Sequence, residues 1–137
     1  MSDSALIISS ERITQEELEE FTHSLNGYFH EEWCYVSEGE GWVGFVISDF
    51  YLEEPDFFEE SELAEFREAL DGEPIQTYLE LNFSSQGQSR HLADWLVTRM
   101  GERWLIIYDD PEENVLTHEQ VANRYRLMGE PALRTGS

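Results

Sequence analysis

His30-Glu31-Glu32-Trp33-Cys34 is the stretch of this chain closest to a metal motif. It approaches H-E-x-x-H, in which two ligands four residues apart on a helix share one face and hold Zn²⁺. Here the fifth position is Cys and the stretch lies where a strand begins, so His30 and Cys34 need not share a face. With His23 the set offers two imidazoles and a thiol. The alternative is a core-facing cysteine flanked by surface histidines, since free Cys is commonly buried. Gly39-Glu40-Gly41-Trp42-Val43-Gly44 matches G-x-G-x-x-G. In a dinucleotide fold those glycines follow a strand and open a helix whose N-terminus meets pyrophosphate. Here a strand follows, and the lysine and H-R-D element that a kinase glycine loop requires are missing. Glu38 and Glu40 would also repel phosphate, so the segment reads as a hairpin turn. Asp109, Asp110, Glu112 and Glu113 follow a strand end, where metal-binding or catalytic acids often sit in α/β folds. They lack the D-x-D-x-D-G spacing of a calcium loop, and the plain reading is a solvated turn.

The strongest positive signal is acidic and aromatic together. Phe57 and Phe58 stand among Glu53, Glu54, Asp56, Glu59, Glu60 and Glu62. Aromatic anchors ringed by charge match a protein-binding hot spot with an electrostatic collar. The competing readings are a solvated acidic face and a Phe pair that plugs the core. No G-x-S-x-G elbow or other nucleophile pattern occurs, although a triad is set by geometry and not by order. No enzymatic activity, cofactor or metal is expected.

These residues need elements to position them. Ala5–Ser9 reads as a short buried strand. Thr14 and Glu17 then form a T-x-x-E capping box with Ile13 and Leu18 as its staple, and Leu18, Phe21, Thr22 and Leu25 share one helix face. Asn26-Gly27 ends that helix. Trp33–Ser37 and Trp42–Ser48 form a hairpin about Glu38-Gly39-Glu40-Gly41. Glu53–Glu60 is a loop, followed by a helix with Leu63, Phe66 and Leu70 on one stripe and Asp71-Gly72 as its stop. Ile75, Thr77, Leu79, Leu81 and Phe83 alternate along a strand. A polar link, Ser84–Ser89, leads to a helix carrying Leu92, Trp95, Leu96 and Met100. Trp104–Tyr108 is a buried strand by its continuous apolar run. Thr117 and Gln120 cap a last helix, with Leu116 and Val121 as the staple.

The order β-α-β-β-α-β-α-β-α predicts an α+β fold: a mixed or antiparallel sheet of about five strands, with helices packed mainly on one face. Its opening suits a ferredoxin-like arrangement. Residues 3–128 are expected to form one domain, and 129–137 a frayed tail.

Charge narrows the function. Of the 30 acidic residues, 21 precede Pro74, opposed there only by Arg12 and Arg67, so residues 1–73 carry a formal −19 and residues 74–137 carry −3. Such a field rejects nucleic acid and anionic membranes and favours a cationic partner. The aromatic share of 13% argues for a packed core. All basic residues are arginines, which excludes Schiff-base and phosphate-binding lysine chemistry. The single cysteine excludes an internal disulfide. Met1-Ser2-Asp3-Ser4 lacks a basic region ahead of an apolar run, so no secretory leader is expected; with no apolar run of roughly 20 residues, a cytoplasmic location is expected.

The order of parts resembles the small acidic immunity proteins of bacterial toxin systems. The likeness runs over residues 5–108. It comprises the Ala5-Leu-Ile-Ile-Ser9 strand, the Thr14-capped helix, Glu68-Ala-Leu-Asp-Gly-Glu-Pro-Ile75, the Tyr78-Leu-Glu-Leu-Asn-Phe-Ser-Ser85 strand, and the Leu92–Met100 helix before Trp104–Tyr108. The resemblance implies a non-enzymatic inhibitor that binds a cognate protein toxin with a basic surface. Glu53, Glu54, Asp56, Phe57, Phe58, Glu59, Glu60 and Glu62 are the expected contacts. The runner-up is a DNA mimic whose carboxylates replace phosphates spaced about 1.7 Å per charge along duplex. A third reading is a metal-dependent enzyme using Asp109, Asp110 or the His30/Cys34 cluster.

Overall fold

A computed structural model describes residues 2–84, 87–112 and 114–128. Its centre is β1 (Ser2–Ser9), flanked by β5 (Thr77–Ser84) on one side and β6 (Ile106–Asp109) on the other. Beyond β5 lie β4 (Gly41–Ser48), β3 (Trp33–Glu38) and β2 (Tyr28–His30); beyond β6 lies β7 (Val115–Thr117). All pairings are antiparallel. The α+β class therefore holds, with seven strands among the described residues where about five are expected. The additional two, β2 and β7, are three residues long and sit at the sheet edges, too short to leave a periodic signal. A ferredoxin-like order is not found, because β1 neighbours neither strand of the β3–β4 hairpin.

The sheet buries both faces at its centre. Ile7 and Ile8 point to opposite sides of β1, and each is fully buried. On the first face Ile7, Val43, Phe45, Leu79, Leu81 and Phe83 pack with α1 (Gln15–Ser24), α4 (Gly87–Gly101) and α5 (His118–Met128). On the second face Ile8, Tyr78 and Ile107 pack with Phe58, Phe66 and Leu70. Phe66 lies in α3 (Glu60–Ala69) and Leu70 caps that helix. Ile75 precedes β5 and joins the second cluster, so it does not share a face with Leu79 and Leu81.

The helix ends follow local chemistry. Thr14 caps α1 in a box with Glu17, and Ile13 and Leu18 share the first core. Asn26, at φ +61°, closes α1 with Gly27 N–H donating to Thr22 O and Asn26 N–H donating to His23 O. Asp71 and Gly72 close α3 in the same way. Thr117 N–H donates to Gln120 Oε1, and Gln120 N–H donates to Thr117 Oγ1, forming the box that starts α5. The residues expected to form a frayed tail, 129–137, lie outside the described ones.

Candidate functional site

The Glu53–Glu60 segment expected to be a loop begins at the end of a short helix, α2 (Phe50–Glu53), and holds a 3₁₀ turn at Pro55–Phe57 before α3. This local winding turns the two phenylalanines apart. Phe58 is 8% exposed and sits in the second core, its ring 5.2 Å from Phe66 and 5.9 Å from Tyr78. Phe57 is 60% exposed and packs edge-on against Phe50 at 5.6 Å. The expected contact role of Phe58 therefore changes to that of an anchor that fixes the segment to the sheet.

Phe57 is joined at the surface by Phe50, which is 50% exposed. Around this apolar knob Glu53, Glu54, Asp56, Glu59, Glu60 and Glu62 are all exposed. Among the described residues no ion pair reaches any of these six carboxylates. Glu62 Oε1 accepts the Glu59 amide at 3.2 Å, tying the start of α3. Below the knob a groove of about 390 Å³ runs between Tyr51, Phe57 and Phe58 on one wall and the second face of the sheet on the other. Ser4, Leu6, Glu62, Glu80 and Asp109 line it. Burial first, and then the negative charge of Glu80, push the Tyr51 hydroxyl pKa up.

The metal reading does not assemble. Cys34 is fully buried in the first core, where burial pushes its thiol pKa up. His30 pairs with Trp33 and so projects to the opposite face of the sheet. Among the described residues no group of three His, Cys, Asp or Glu side chains is placed to hold a metal ion. The G-x-G-x-x-G stretch is the β3–β4 turn and the start of β4, with Gly39 at φ +56°.

The turn after β6 is not simply solvated. Asp110 is 5% exposed, and its Oδ2 accepts from Arg124 Nη1 at 3.0 Å. Its Oδ1 accepts the amides of Glu112 and Asn114. The same guanidinium holds Asp94 of α4 through two bonds of 2.8 Å. Arg124 thus clamps α5 to α4 and to the turn, a network that needs spatial proximity across three elements and has no sequence spacing to betray it. Burial acts to raise the Asp110 pKa, but the Asn114 amide, Arg124 and the Glu112 amide outweigh it and hold it low. At Asp94 burial wins over Arg124 and the pKa is raised. Glu113 lies outside the described residues.

Sequence reasoning also missed an aromatic surface on the second face. Tyr28 and Tyr35 stack at 5.3 Å and 10°, Trp33 lies 6.4 Å from Tyr35, and Trp42 lies 6.3 Å from it. The available signal was parity. Trp33 and Tyr35 alternate with Cys34 and Val36, and Trp42 and Gly44 alternate with Val43 and Phe45. Gly44 is required beneath this surface, because a Cβ there would stand 2.7 Å from Tyr35 Cε1.

Comparison with family models, characterised proteins and solved structures finds no match to this chain. No described helix is long and apolar enough to cross a membrane.

Proposed function

We propose that this chain is a non-enzymatic immunity protein that binds a cognate protein toxin through its acidic surface. The observation that carries the reading is Phe57, 60% exposed beside Phe50 and ringed by carboxylates that make no ion pair among the described residues. A solubility surface needs no apolar knob at the centre of its densest charge. An interface uses both: the aromatic anchor supplies affinity, and the collar speeds encounter with a basic cleft and rejects other partners. A DNA mimic would use the same carboxylates, but the exposed Phe50–Phe57 pair has no counterpart in a phosphate backbone. Cytoplasmic neutralisation of a toxin that acts on nucleic acid or nucleotides fits this charge.

The test is a tagged pull-down from producing cells, with wild type beside a variant carrying Phe57→Ala and Gln at Glu53, Glu54, Glu59 and Glu60. The expected result is one stoichiometric protein, toxic when expressed alone and tolerated with the wild-type chain, that the variant retains poorly. Equal retention by the variant would refute the assigned surface. A set of DNA-binding proteins released by added duplex would replace the immunity reading with the DNA mimic.

A further inference from the structure

The aromatic surface and the acidic groove lie on one sheet face, and the strand register makes them continuous. Tyr28 pairs with Tyr35, Tyr35 with Gly44, Gly44 with Asn82, and Asn82 with Ser4. Ser4 is already a wall of the groove. Two residues along each strand, Val46 pairs with Glu80, Glu80 with Leu6, and Leu6 with Asp109. Glu80, Leu6 and Asp109 line the same groove. These rows share one face because side chains alternate along a strand. The helices α1 and α4 occupy the other face, packed on Cys34, Val36, Val43 and Phe45, so Tyr28 remains 49% exposed. From β2 to β6 the track crosses five inter-strand spacings of about 4.8 Å, roughly 24 Å, the length of about seven extended residues.

Charge selects the occupant. An open sheet face bearing stacked aromatics is a common platform for single-stranded RNA, but a formal charge of −22 opposes any polyanion. Between Arg12 and Arg67 the chain contains no lysine or arginine, while Glu31, Glu32 and Glu40 occupy the turns that bound the aromatic strands. Aromatic faces with carboxylates at both ends suit guanidinium groups, which stack on rings and pair with carboxylates. We infer that this track seats an extended, arginine-bearing segment of the protein partner. One arginine stacks on Trp33, Tyr35 and Trp42, and another reaches Glu62 and Glu80 in the groove. The inference rests on the partner being a cationic protein and adds a second contact region to the Phe57 knob.

Heptaarginine is the probe, titrated at low salt into the full chain while indole N–H resonances are followed by NMR. Trp33 and Trp42 lie on the track, whereas Trp95 and Trp104 are buried in the opposite core and serve as internal references. The expected result is movement of the Trp33 and Trp42 signals together with the Glu62 and Glu80 amides, with Trp95 and Trp104 still. Tyr35→Ala and Glu80→Gln should each weaken binding about fivefold with the fold intact by thermal melt. Movement of the Glu62 and Glu80 amides alone would overturn the track and leave the Phe57 interface standing. No movement, or equal movement of all four indoles, would overturn it as well. So would an oligothymidylate that shifts Trp33 and Trp42 where heptaarginine does not. Track binding by heptaarginine together with capture of a basic partner that is not toxic when expressed alone would separate this inference from the immunity reading and sink only the latter.

Discussion

Replacing Arg124 with leucine should destabilise the protein by about 3 kcal/mol at neutral pH. The guanidinium makes two bonds of 2.8 Å to Asp94 and one of 3.0 Å to Asp110, whose side chains are 10% and 3% exposed. Removing it leaves two carboxylates without their cation in a poorly hydrated site, which costs about 3–5 kcal/mol for a buried pair. The lower end applies because Arg124 itself is 38% exposed, so water already screens part of its charge. For 137 residues a loss of about 3 kcal/mol lowers Tm by about 10 °C.

The pH dependence follows from the same geometry. In the wild type the raised Asp94 means that the folded state holds its proton more tightly than the unfolded chain, so stability falls as pH rises through that window. The lowered Asp110 acts in the opposite sense and gains stability as pH rises above its folded value. In Arg124→Leu the lowering contribution of Arg124 is lost at both carboxyls, so both pKa values rise relative to wild type, Asp110 keeping the lowering contribution of the Asn114 and Glu112 amides. The variant should then be close to wild type near pH 4 and fall behind as pH rises, with the full deficit at neutral pH. Urea unfolding of both proteins from pH 4 to 7.5 measures the difference and cancels the protein's general self-repulsion. A deficit below about 1 kcal/mol at neutral pH, or one that does not change with pH, would refute the clamp as a charge-compensating element.

The two phenylalanines should separate cleanly: Phe58→Ala costs about 3 kcal/mol in denaturant unfolding, whereas Phe57→Ala changes stability by less than about 0.5 kcal/mol and reduces partner retention. Gly44→Ala should destabilise by about 1–3 kcal/mol through its contact with Tyr35. In a Tyr35→Ala background the same change should be nearly silent, which a double-mutant cycle checks. Cys34 should react with a thiol reagent only as fast as the protein opens, because it is buried and its thiol pKa is raised. Labelling at the free-thiol rate under native conditions would contradict its place in the core.

What could be read from the sequence was what local chemistry decides. Thr14 with Glu17 and Thr117 with Gln120 marked helix starts because a cap is satisfied within three residues. Leu79, Leu81 and Phe83 marked a core-facing strand because alternation is a property of one strand alone. The edge strands β2 and β7 exist only through their neighbours, so nothing within Tyr28–His30 or Val115–Thr117 announced them. The candidate site was legible as composition and not as geometry. The acids and the Phe57-Phe58 pair were visible, but which of the two is exposed was not, because the burial of Phe58 depends on Phe66 and Tyr78 from two other elements. The aromatic surface was hidden by the same limit. Tyr28, Trp33, Tyr35 and Trp42 become one patch only when three strands pair in register.

The arrangement of charge gives the last prediction. The ion pairs gather near α4 and α5, where Arg90, Arg99, Arg103 and Arg124 meet carboxylates. The segment from Glu53 to Glu62 has exposed acids and no such pairing among the described residues. Repulsion among these acids destabilises the compact state and is screened by salt, since the Debye length shortens to about 3 Å at 1 M. Added salt should therefore raise Tm. If those carboxylates face a basic partner, the same screening should slow association and weaken the complex. Fold stability and partner affinity should move in opposite directions over one salt titration, read by thermal melts of the free protein and by binding to the captured partner. A Tm that rises while affinity stays constant would mean that the acids serve the free protein only, and the interface would then have to rest on Phe57 and the aromatic face alone.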